Sequence, residues 1–192
     1  MKVDGVIDEA EWEQAVSVEN LVAPWEKNVL DKTKFQAFVS DDYFNFYFHV
    51  EDNTLTTVPF EKELSVASED RVELFFSSDI TLAKYYCIEM DPKGNILDYS
   101  AKHYREFDDK WDFKNKKIAT KIMDGTYIVE GRILLEELNE LGISDTFQLG
   151  IFRADFKSQK PDDVTWFSWI KPDSQDPDFH IPSAFGKTVL ER

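Results

Sequence analysis

The 192-residue chain has one cysteine, Cys87, three histidines and seven glycines. A single cysteine excludes an intramolecular disulfide and any metal site built from several thiolates. The histidines, His49, His103 and His180, lack the close spacing of a zinc or iron site. No glycine pattern for phosphate or dinucleotide binding occurs, and there is no G-x-S-x-G motif. The sequence therefore indicates neither a nucleotide-binding enzyme nor a serine hydrolase.

Basic residues are also scarce. There are 22 Lys and Arg against 38 Asp and Glu, which gives a formal net charge of -16. This excess of negative charge repels nucleic-acid phosphates and anionic membranes, although acidity also simply favours solubility. No apolar run approaches the roughly 18 residues that a membrane span needs. We expect no nucleic-acid partner and no membrane insertion, which leaves neutral ligands, cations and cationic partners.

Aromatic residues are abundant. Sixteen Phe, seven Tyr and five Trp make up 15% of the chain. Several of these rings lie in polar, loop-like stretches: Trp25, Tyr104, Phe107, Trp111 and Phe179. Such a ring either closes a core from its edge or offers a flat apolar face to a ligand, as sugar-binding sites do.

Alternation of apolar and polar residues with a period of two dominates the chain and predicts about nine strands. Asp41-Asp42 and Asp124-Gly125 have the character of hairpin turns. Only Ile7 to Ala15 and Leu134 to Leu141 have helical spacing, and the second ends at Gly142. With no alternating βαβ pattern, the sequence predicts one all-β domain over residues 1–192, an antiparallel β-sandwich of immunoglobulin-like type with one or two short helices.

The alternation also assigns faces to the strands around residues 71–91. Val72, Leu74 and Phe76 point one way with Tyr86, Ile88 and Met90, which leaves an outer surface of Glu73, Phe75, Tyr85, Cys87 and Glu89. Carboxylates mixed with rings suit a polyhydroxylated ligand, and a solvated face with ordinary cross-strand pairs is the alternative. Glu73 and Glu89 also fit the paired carboxylates of a glycosidase.

Two further groups of residues are candidates for function. Oxygen-bearing side chains at Asp4, Asp8 and Asp52 would form a calcium site if the fold brings them together, and turn and capping chemistry is the alternative. Rings cluster in residues 98–116, which we interpret as a long loop, and around the Pro- and Asp-rich stretch 171–182. Trp166 and Trp169 are three residues apart, so one extended strand would place them on opposite faces.

Five motifs, in order along nearly the whole chain, resemble family-9 carbohydrate-binding modules of the wider DOMON-like β-sandwich group. These motifs are VDGVIDEAEW, FQAFVSDDYFNFYFHVED, EDRVELFFSSD, DGTYIVEGRILLEEL and FHIPSAFGKTVLE. The resemblance implies a non-catalytic glycan-binding module that accompanies xylanases and similar enzymes and often holds structural calcium.

The resemblance also carries over individual residues. The family pattern D-x-V-E-x-F is matched from Asp70 to Phe75, and its glutamate, which binds sugar in the family, is Glu73 here. Of the two tryptophans that clamp sugar in the family, one is replaced by Ala67 and the other by Phe179, and a sugar-binding arginine is replaced at Cys87. The resemblance therefore implies sugar binding without the two-tryptophan clamp.

The sequence thus predicts a non-catalytic module, secreted, periplasmic or at the cell surface, that binds a xylan-like or glucan-like oligo- or polysaccharide. We expect a monomer with no cofactor except, optionally, structural calcium. The predicted ligand-binding residues are Glu73, Tyr104, Trp111, Arg153, Trp169, Phe179 and His180. A glycoside hydrolase, or its accessory domain, and a haem-binding redox module are the alternatives.

Overall fold

The computed structural model describes residues 1–27, 29–40 and 42–190. Its strands, in chain order, are β1 (Val16–Val18), β2 (Thr33–Ser40), β3 (Tyr43–Glu51), β4 (Arg71–Ser77), β5 (Tyr85–Met90), β6 (Ile96–Lys102), β7 (Glu106–Asp108), β8 (Lys116–Met123), β9 (Thr126–Leu134), β10 (Thr146–Phe156), β11 (Val164–Ser168) and β12 (Gly186–Val189). The α-helix is α1 (Leu135–Glu140), and short 3-10 helices span Ala10–Gln14, Glu63–Ser68 and Pro182–Ala184.

The strands form two antiparallel sheets. The smaller sheet has the order β1-β2-β3-β9-β8, and the larger has the order β11-β10-β4-β5-β6-β7, with β12 also pairing with β10. The predicted all-β antiparallel sandwich with short helices is therefore confirmed. Sequence alternation did not identify β1 and β7, because three residues are too few to display a period of two.

Local sequence signals explain the turns and the helix. The predicted Asp124-Gly125 turn joins β8 to β9, and Gly125 has the positive φ of 70° that such a turn needs. β2 and β3 pair up to Ser40 and Tyr43, and the Asp41 half of the predicted Asp41-Asp42 turn lies outside the described residues. Near the N-terminus, the predicted helix is a 3-10 helix that buries Trp12.

A phenylalanine-rich core fills the space between the sheets. Val72, Leu74 and Phe76 contribute to it from β4, and Tyr86, Ile88 and Met90 contribute from β5, as the alternation predicts. The smaller sheet packs against them mainly through the rings of β2 and β3: Phe35, Phe44, Phe46 and Phe48. Burying each such side chain contributes about 1.5–3 kcal/mol, so this core stabilises the sandwich.

The outer face of the larger sheet is buried as well. The C-terminal segment 171–185 crosses back over it, and Phe179 stacks on Phe152 with ring centroids 4.1 Å apart and planes at 10°. Glu73 and Glu89 are only 2% and 5% exposed. The alternative of a solvated face is therefore wrong, because a second apolar cluster around Phe75, Tyr85 and Phe185 covers this face. Residues 98–116 are not one long loop either, since β6 and β7 occupy much of that stretch.

Candidate functional site

A cleft of about 220 Å³ remains where segment 171–185 meets the outer face of the larger sheet. The residues that line it come from five separate parts of the chain: Arg71, Glu73, Glu89, Arg105, Trp166, Pro177, Asp178, Phe179 and His180. The cleft therefore combines two arginines, three carboxyl groups and three aromatic or imidazole rings. Rings and hydrogen-bonding groups that converge in one concavity are typical of small-molecule sites.

A larger surface groove, of about 760 Å³, runs beside α1. Its described lining residues include no aromatic ring and no cationic side chain, and its charged groups are Asp42, Glu136 and Glu140. Such a groove offers nothing on which an apolar ligand face can stack. The smaller cleft is the better candidate site.

The floor of the cleft is a buried arginine between two glutamates. Glu73 and Glu89 lie directly opposite each other on β4 and β5. Nε of Arg71 donates a hydrogen bond to Oε2 of Glu89 at 2.6 Å, and Tyr99 donates its hydroxyl hydrogen to Oε1 at 2.8 Å. Oε1 of Glu73 also lies 2.9 Å from Nε of Arg71, but it receives no hydrogen bond because the N–H points at Glu89. Oε1 of Glu73 is thus a buried polar atom without a hydrogen-bond partner among the described residues.

Burial, the largest cause, raises the pKa of Glu73 from 4.5 to about 8, and the charge of Glu89 acts in the same direction, while Arg71 opposes both. Glu73 is therefore mostly protonated at neutral pH. A protonated carboxyl group can donate one hydrogen bond and accept others, which matches the donor and acceptor capacity of a sugar hydroxyl.

The guanidinium of Arg71 is held from two further sides. Its Nη1 donates to the backbone oxygen of Ala67 at 3.2 Å, and its central carbon lies 5.5 Å from the centroid of the Trp166 ring. This cation–π contact places the indole beside the guanidinium at the wall of the cleft. Ala67, at the position of one clamp tryptophan in the resembled family, thus contributes a backbone oxygen and no ring.

The rim of the cleft is an ion pair between distant parts of the chain. Nη2 of Arg105, in the β6–β7 turn, donates to Oδ1 of Asp178 at 2.8 Å, and the Tyr104 hydroxyl donates to Oδ2 at 2.7 Å. Burial opposes ionisation of Asp178, but hydrogen bonds from Tyr104 and the His180 N–H, together with the charge of Arg105, lower its pKa overall. The ionised Asp178 fastens segment 171–185 to the turn.

The far wall is formed by Phe179 and His180. The imidazole packs against Phe75 with ring centroids 5.1 Å apart and planes tilted by 32°, and its Nδ1 lies 3.0 Å from the Tyr85 hydroxyl. Burial, followed by the charge of Arg105, lowers the pKa of His180 to about 3, so the ring is neutral at physiological pH. His180 thus contributes an uncharged, flat ring to the wall of the cleft.

The structure brings some of the predicted ligand-binding residues together and separates others. Glu73, Phe179 and His180 line the cleft. Tyr104 lies at its rim, where its hydroxyl donates a hydrogen bond to Asp178. Trp111 lies outside it and packs beside the main core, with its ring centroid 4.8 Å from that of Tyr86 and the ring planes tilted by 44°.

Trp169 and Arg153 are also elsewhere. Trp169 packs against the main core and so closely over Gly186 that a Cβ there would lie 2.5 Å from the indole. Arg153 is fully buried on the inner face of the larger sheet, because alternation along β10 turns it away from Phe152 and the cleft. The prediction that Trp166 and Trp169 face opposite sides is confirmed, but the ring at the cleft is Trp166.

Five charged or aromatic residues of the cleft were missing from the predicted ligand-binding set: Arg71, Glu89, Arg105, Trp166 and Asp178. Alternation had placed Glu89 on the same surface as Glu73. Arg71 lies two residues before Glu73, so alternation places both side chains on the same face of β4. Alternation also places Trp166 on the face opposite Trp169, away from the main core. Arg71 and Trp166 could therefore have been found from the sequence. Arg105 and Asp178 are 73 residues apart, and no local pattern joins them.

The residues predicted to bind calcium do not form one group. Asp4 pairs with Lys2 at 2.5 Å, and its backbone N–H donates to Glu130. Asp8 is exposed, whereas Asp52 is buried in a cluster with Asp70 and Asp155. Asp4 therefore lies beside Glu130 of β9, and neither Asp4 nor Asp8 belongs to that buried cluster.

Comparison with known proteins then places the chain in a family. The family described as "Carbohydrate family 9 binding domain-like" matches residues 3–192. The chain belongs to this family. The family predicted from the sequence motifs, and carbohydrate binding as the class of function, are confirmed at that level. The chain matches no curated protein sequence.

Solved structures of carbohydrate-binding proteins share the fold. A candidate carbohydrate-binding protein from Bacteroides uniformis superposes with a TM-score of 0.78 at 14% identity, over 94% of this chain and 88% of the other. A family-9 module from Caldicellulosiruptor kristjanssonii has a TM-score of 0.69 at 16% identity, both in complex with glucose and in complex with cellotriose. These matches cover all of this chain and 91% and 89% of the two structures, respectively. At such low identity these similarities show the fold alone.

Within the described part of the chain, no helix has both the length and the hydropathy to cross a lipid bilayer.

Proposed function

We propose that this family-9 module binds a neutral oligo- or polysaccharide non-covalently, with one sugar unit in the cleft. The observation that carries the proposal is the buried carboxyl group of Glu73, whose Oε1 accepts no hydrogen bond although it lies 2.9 Å from Nε of Arg71, in a cleft that Trp166 also lines. A buried polar atom without a partner is costly, and a ligand hydroxyl that bonds to it removes that cost. At about 220 Å³ the cleft is smaller than a typical drug-sized site, which suits one sugar ring.

The charges in the cleft favour a neutral ligand over a sugar acid. Arg71 is balanced by Glu89, and Arg105 is balanced by Asp178, while Glu73 holds its proton at neutral pH. No guanidinium is left in excess to pair with a uronate. The complexes of the Caldicellulosiruptor module with glucose and cellotriose support a glucan-like ligand, and a xylan-like ligand has the same neutral hydroxyl chemistry.

The arrangement of the carboxyl groups favours binding over hydrolysis. A glycosidase needs two carboxyl groups about 5 Å or more apart, on either side of the scissile bond. Here Nε of Arg71 lies 2.9 Å from Glu73 and 2.6 Å from Glu89, so a guanidinium, and not a scissile bond, lies between the two carboxyl groups. We therefore propose a non-catalytic module that serves polysaccharide degradation outside the cytoplasm, where such ligands occur.

Isothermal titration with glucose, cellotriose and xylotriose tests the proposal, and matched tryptophan variants locate the site. We expect the wild-type protein to bind at least one of these sugars. Trp166→Ala should weaken binding by about tenfold or more, which corresponds to 1.4 kcal/mol. Trp111→Ala removes an equally large ring outside the cleft and should leave the affinity unchanged. Absence of binding to all three sugars at millimolar concentration would refute sugar binding, and equal losses in the two variants would refute the location.

A further inference from the structure

A second buried arginine lies between the two sheets, away from the cleft. Arg153, on β10 of the larger sheet, is 0% exposed. Its Nη1 donates to the Thr33 hydroxyl of β2 at 3.1 Å, and its Nη2 donates to Oδ2 of Asp52, just after β3, at 3.1 Å. Its guanidinium carbon also lies 4.9 Å from the centroid of the Phe167 ring. Arg153 thus links the larger sheet to two elements of the smaller one.

Three buried aspartates surround this guanidinium. Asp52, Asp70 and Asp155 each have a carboxylate oxygen within 4.8 Å of the others, a spacing that a divalent cation could bridge. Calcium takes six to eight oxygen ligands at about 2.3–2.6 Å. The fit of calcium therefore depends on whether these oxygens are free.

Nearly all of these oxygens already accept hydrogen bonds. Asp52 accepts the Thr54 N–H on Oδ1 and Arg153 on Oδ2. Asp70 accepts the Phe156 N–H on Oδ1 and the Thr56 N–H on Oδ2, at 2.6 and 2.5 Å.

Asp155 is held in the same way. Its Oδ2 accepts Lys157 Nζ at 2.6 Å and lies 3.3 Å from Nη2 of Arg153. Only its Oδ1 lacks a donor among the described residues. An oxygen that accepts one hydrogen bond keeps a second lone pair, but Nη2 of Arg153 lies 3.1 Å from Oδ2 of Asp52 and 3.3 Å from Oδ2 of Asp155. The calcium that family resemblance implies does not fit these aspartates, because a charged guanidinium nitrogen already occupies the space between two of them.

We infer that Arg153 takes the place of a metal ion in this cluster, so that this end of the sandwich folds without calcium. The two side-chain cations, Arg153 and Lys157, supply the positive charge that an ion would bring. Burial opposes the charge of Arg153, but the surrounding Tyr127, Asp155 and Asp52 raise its pKa overall, so the guanidinium stays charged inside the protein. A fixed side chain neutralises the aspartates at any calcium concentration.

Thermal unfolding of the wild-type protein, with millimolar calcium or with a chelator, tests this inference. An ion at a hundred times its Kd would raise the Tm of a protein of this size by roughly 5–10 °C. We expect no such shift from this cluster. A calcium shift that is lost in Asp52→Asn or Asp155→Asn would overturn the inference. An equal shift in both variants and in the wild type would place the ion elsewhere and uphold it.

Removing the guanidinium gives a second, opposite test. Arg153→Ala leaves the aspartates without their main cation, so calcium should raise its Tm by several degrees more than it raises that of the wild type. Arg132→Ala is the matched control, because the Arg132 guanidinium stacks 4.3 Å from the Tyr43 ring, away from the cluster. If calcium raises the Tm of Arg153→Ala no more than it raises the Tm of Arg132→Ala, then Arg153 does not take the place of an ion. If Arg153→Ala folds only when calcium is added, the inference is upheld.

Discussion

The two buried arginine clusters of this protein use the same chemistry for different ends. Arg71 lies between Glu73 and Glu89 on the outer face of the larger sheet, and Arg153 lies between Asp52 and Asp155 on its inner face. The Arg71 cluster borders a cleft and contains a carboxyl oxygen without a donor. The Arg153 cluster is sealed between the sheets, and backbone N–H groups and Lys157 satisfy most of its oxygens.

The difference shows that an arginine–carboxylate cluster does not by itself indicate function. A sealed and nearly satisfied cluster supports the fold, because breaking it leaves uncompensated charge in the interior. An open and incompletely satisfied cluster can instead take a ligand that supplies the missing hydrogen bonds. Access to solvent and unused bonding capacity therefore separate the two roles.

The largest expected difference between the clusters is in stability. Arg153→Met should lower the free energy of unfolding by about 3–5 kcal/mol, because it leaves buried aspartates without their cation. Arg71→Met should cost less, since Glu73 already carries a proton at neutral pH and the cleft admits water. Urea denaturation of both variants measures the difference. Equal losses would show that the two clusters support the fold to the same extent.

The pH dependence of stability should come partly from the Arg71 cluster. The pKa of Glu73 is raised in the folded protein, so between about pH 4.5 and 8 the unfolded chain releases a proton that the folded protein keeps. Stability contributed by this proton is complete at low pH and falls as pH rises through that range, by roughly 1.4 kcal/mol per unit of pKa difference.

Urea denaturation at pH 5 and pH 8 measures this effect. Glu73→Gln cannot ionise and should lose less stability between the two pH values than the wild-type protein. The exposed Glu13→Gln serves as the control and should follow the wild type. A Glu73→Gln profile parallel to that of the wild type would show that Glu73 is ionised in the folded state.

The smallest expected effect is on sugar affinity, which should depend on the Arg71 cluster and not on the Arg153 cluster. Glu73→Ala removes the free carboxyl oxygen and should weaken sugar binding by about tenfold. Glu73→Gln keeps an acceptor oxygen and a donor group at the positions of the protonated carboxyl group, so it should retain affinity within about threefold of the wild type.

Asp155→Asn, in the sealed cluster, provides the comparison for these titrations. It should leave sugar affinity unchanged at a temperature where the variant is folded. A loss of affinity in Asp155→Asn as large as that in Glu73→Ala would contradict the assignment of separate roles.

Parts of the candidate site were predictable from local pattern. Alternation placed Glu73 and Glu89 on one surface and set Trp166 opposite Trp169. The same alternation left open which side of each strand would face the main core, so Trp169 and Arg153 were assigned to the site although both lie with the inner layer. Their polar or aromatic character suggested ligand contact, but burial gave each a packing or charge-pairing role.

The sequence by itself determined the two-sheet fold, the family and the pairing of Glu73 with Glu89, because strand alternation and turn chemistry act over a few residues. Only the tertiary structure decided that segment 171–185 returns over the outer face and that Arg105 meets Asp178 across 73 residues. It also decided that Arg153 pairs with the inner aspartates and does not line the cleft. These contacts join parts of the chain that are remote in sequence, so they follow from how the layers pack and not from any local pattern.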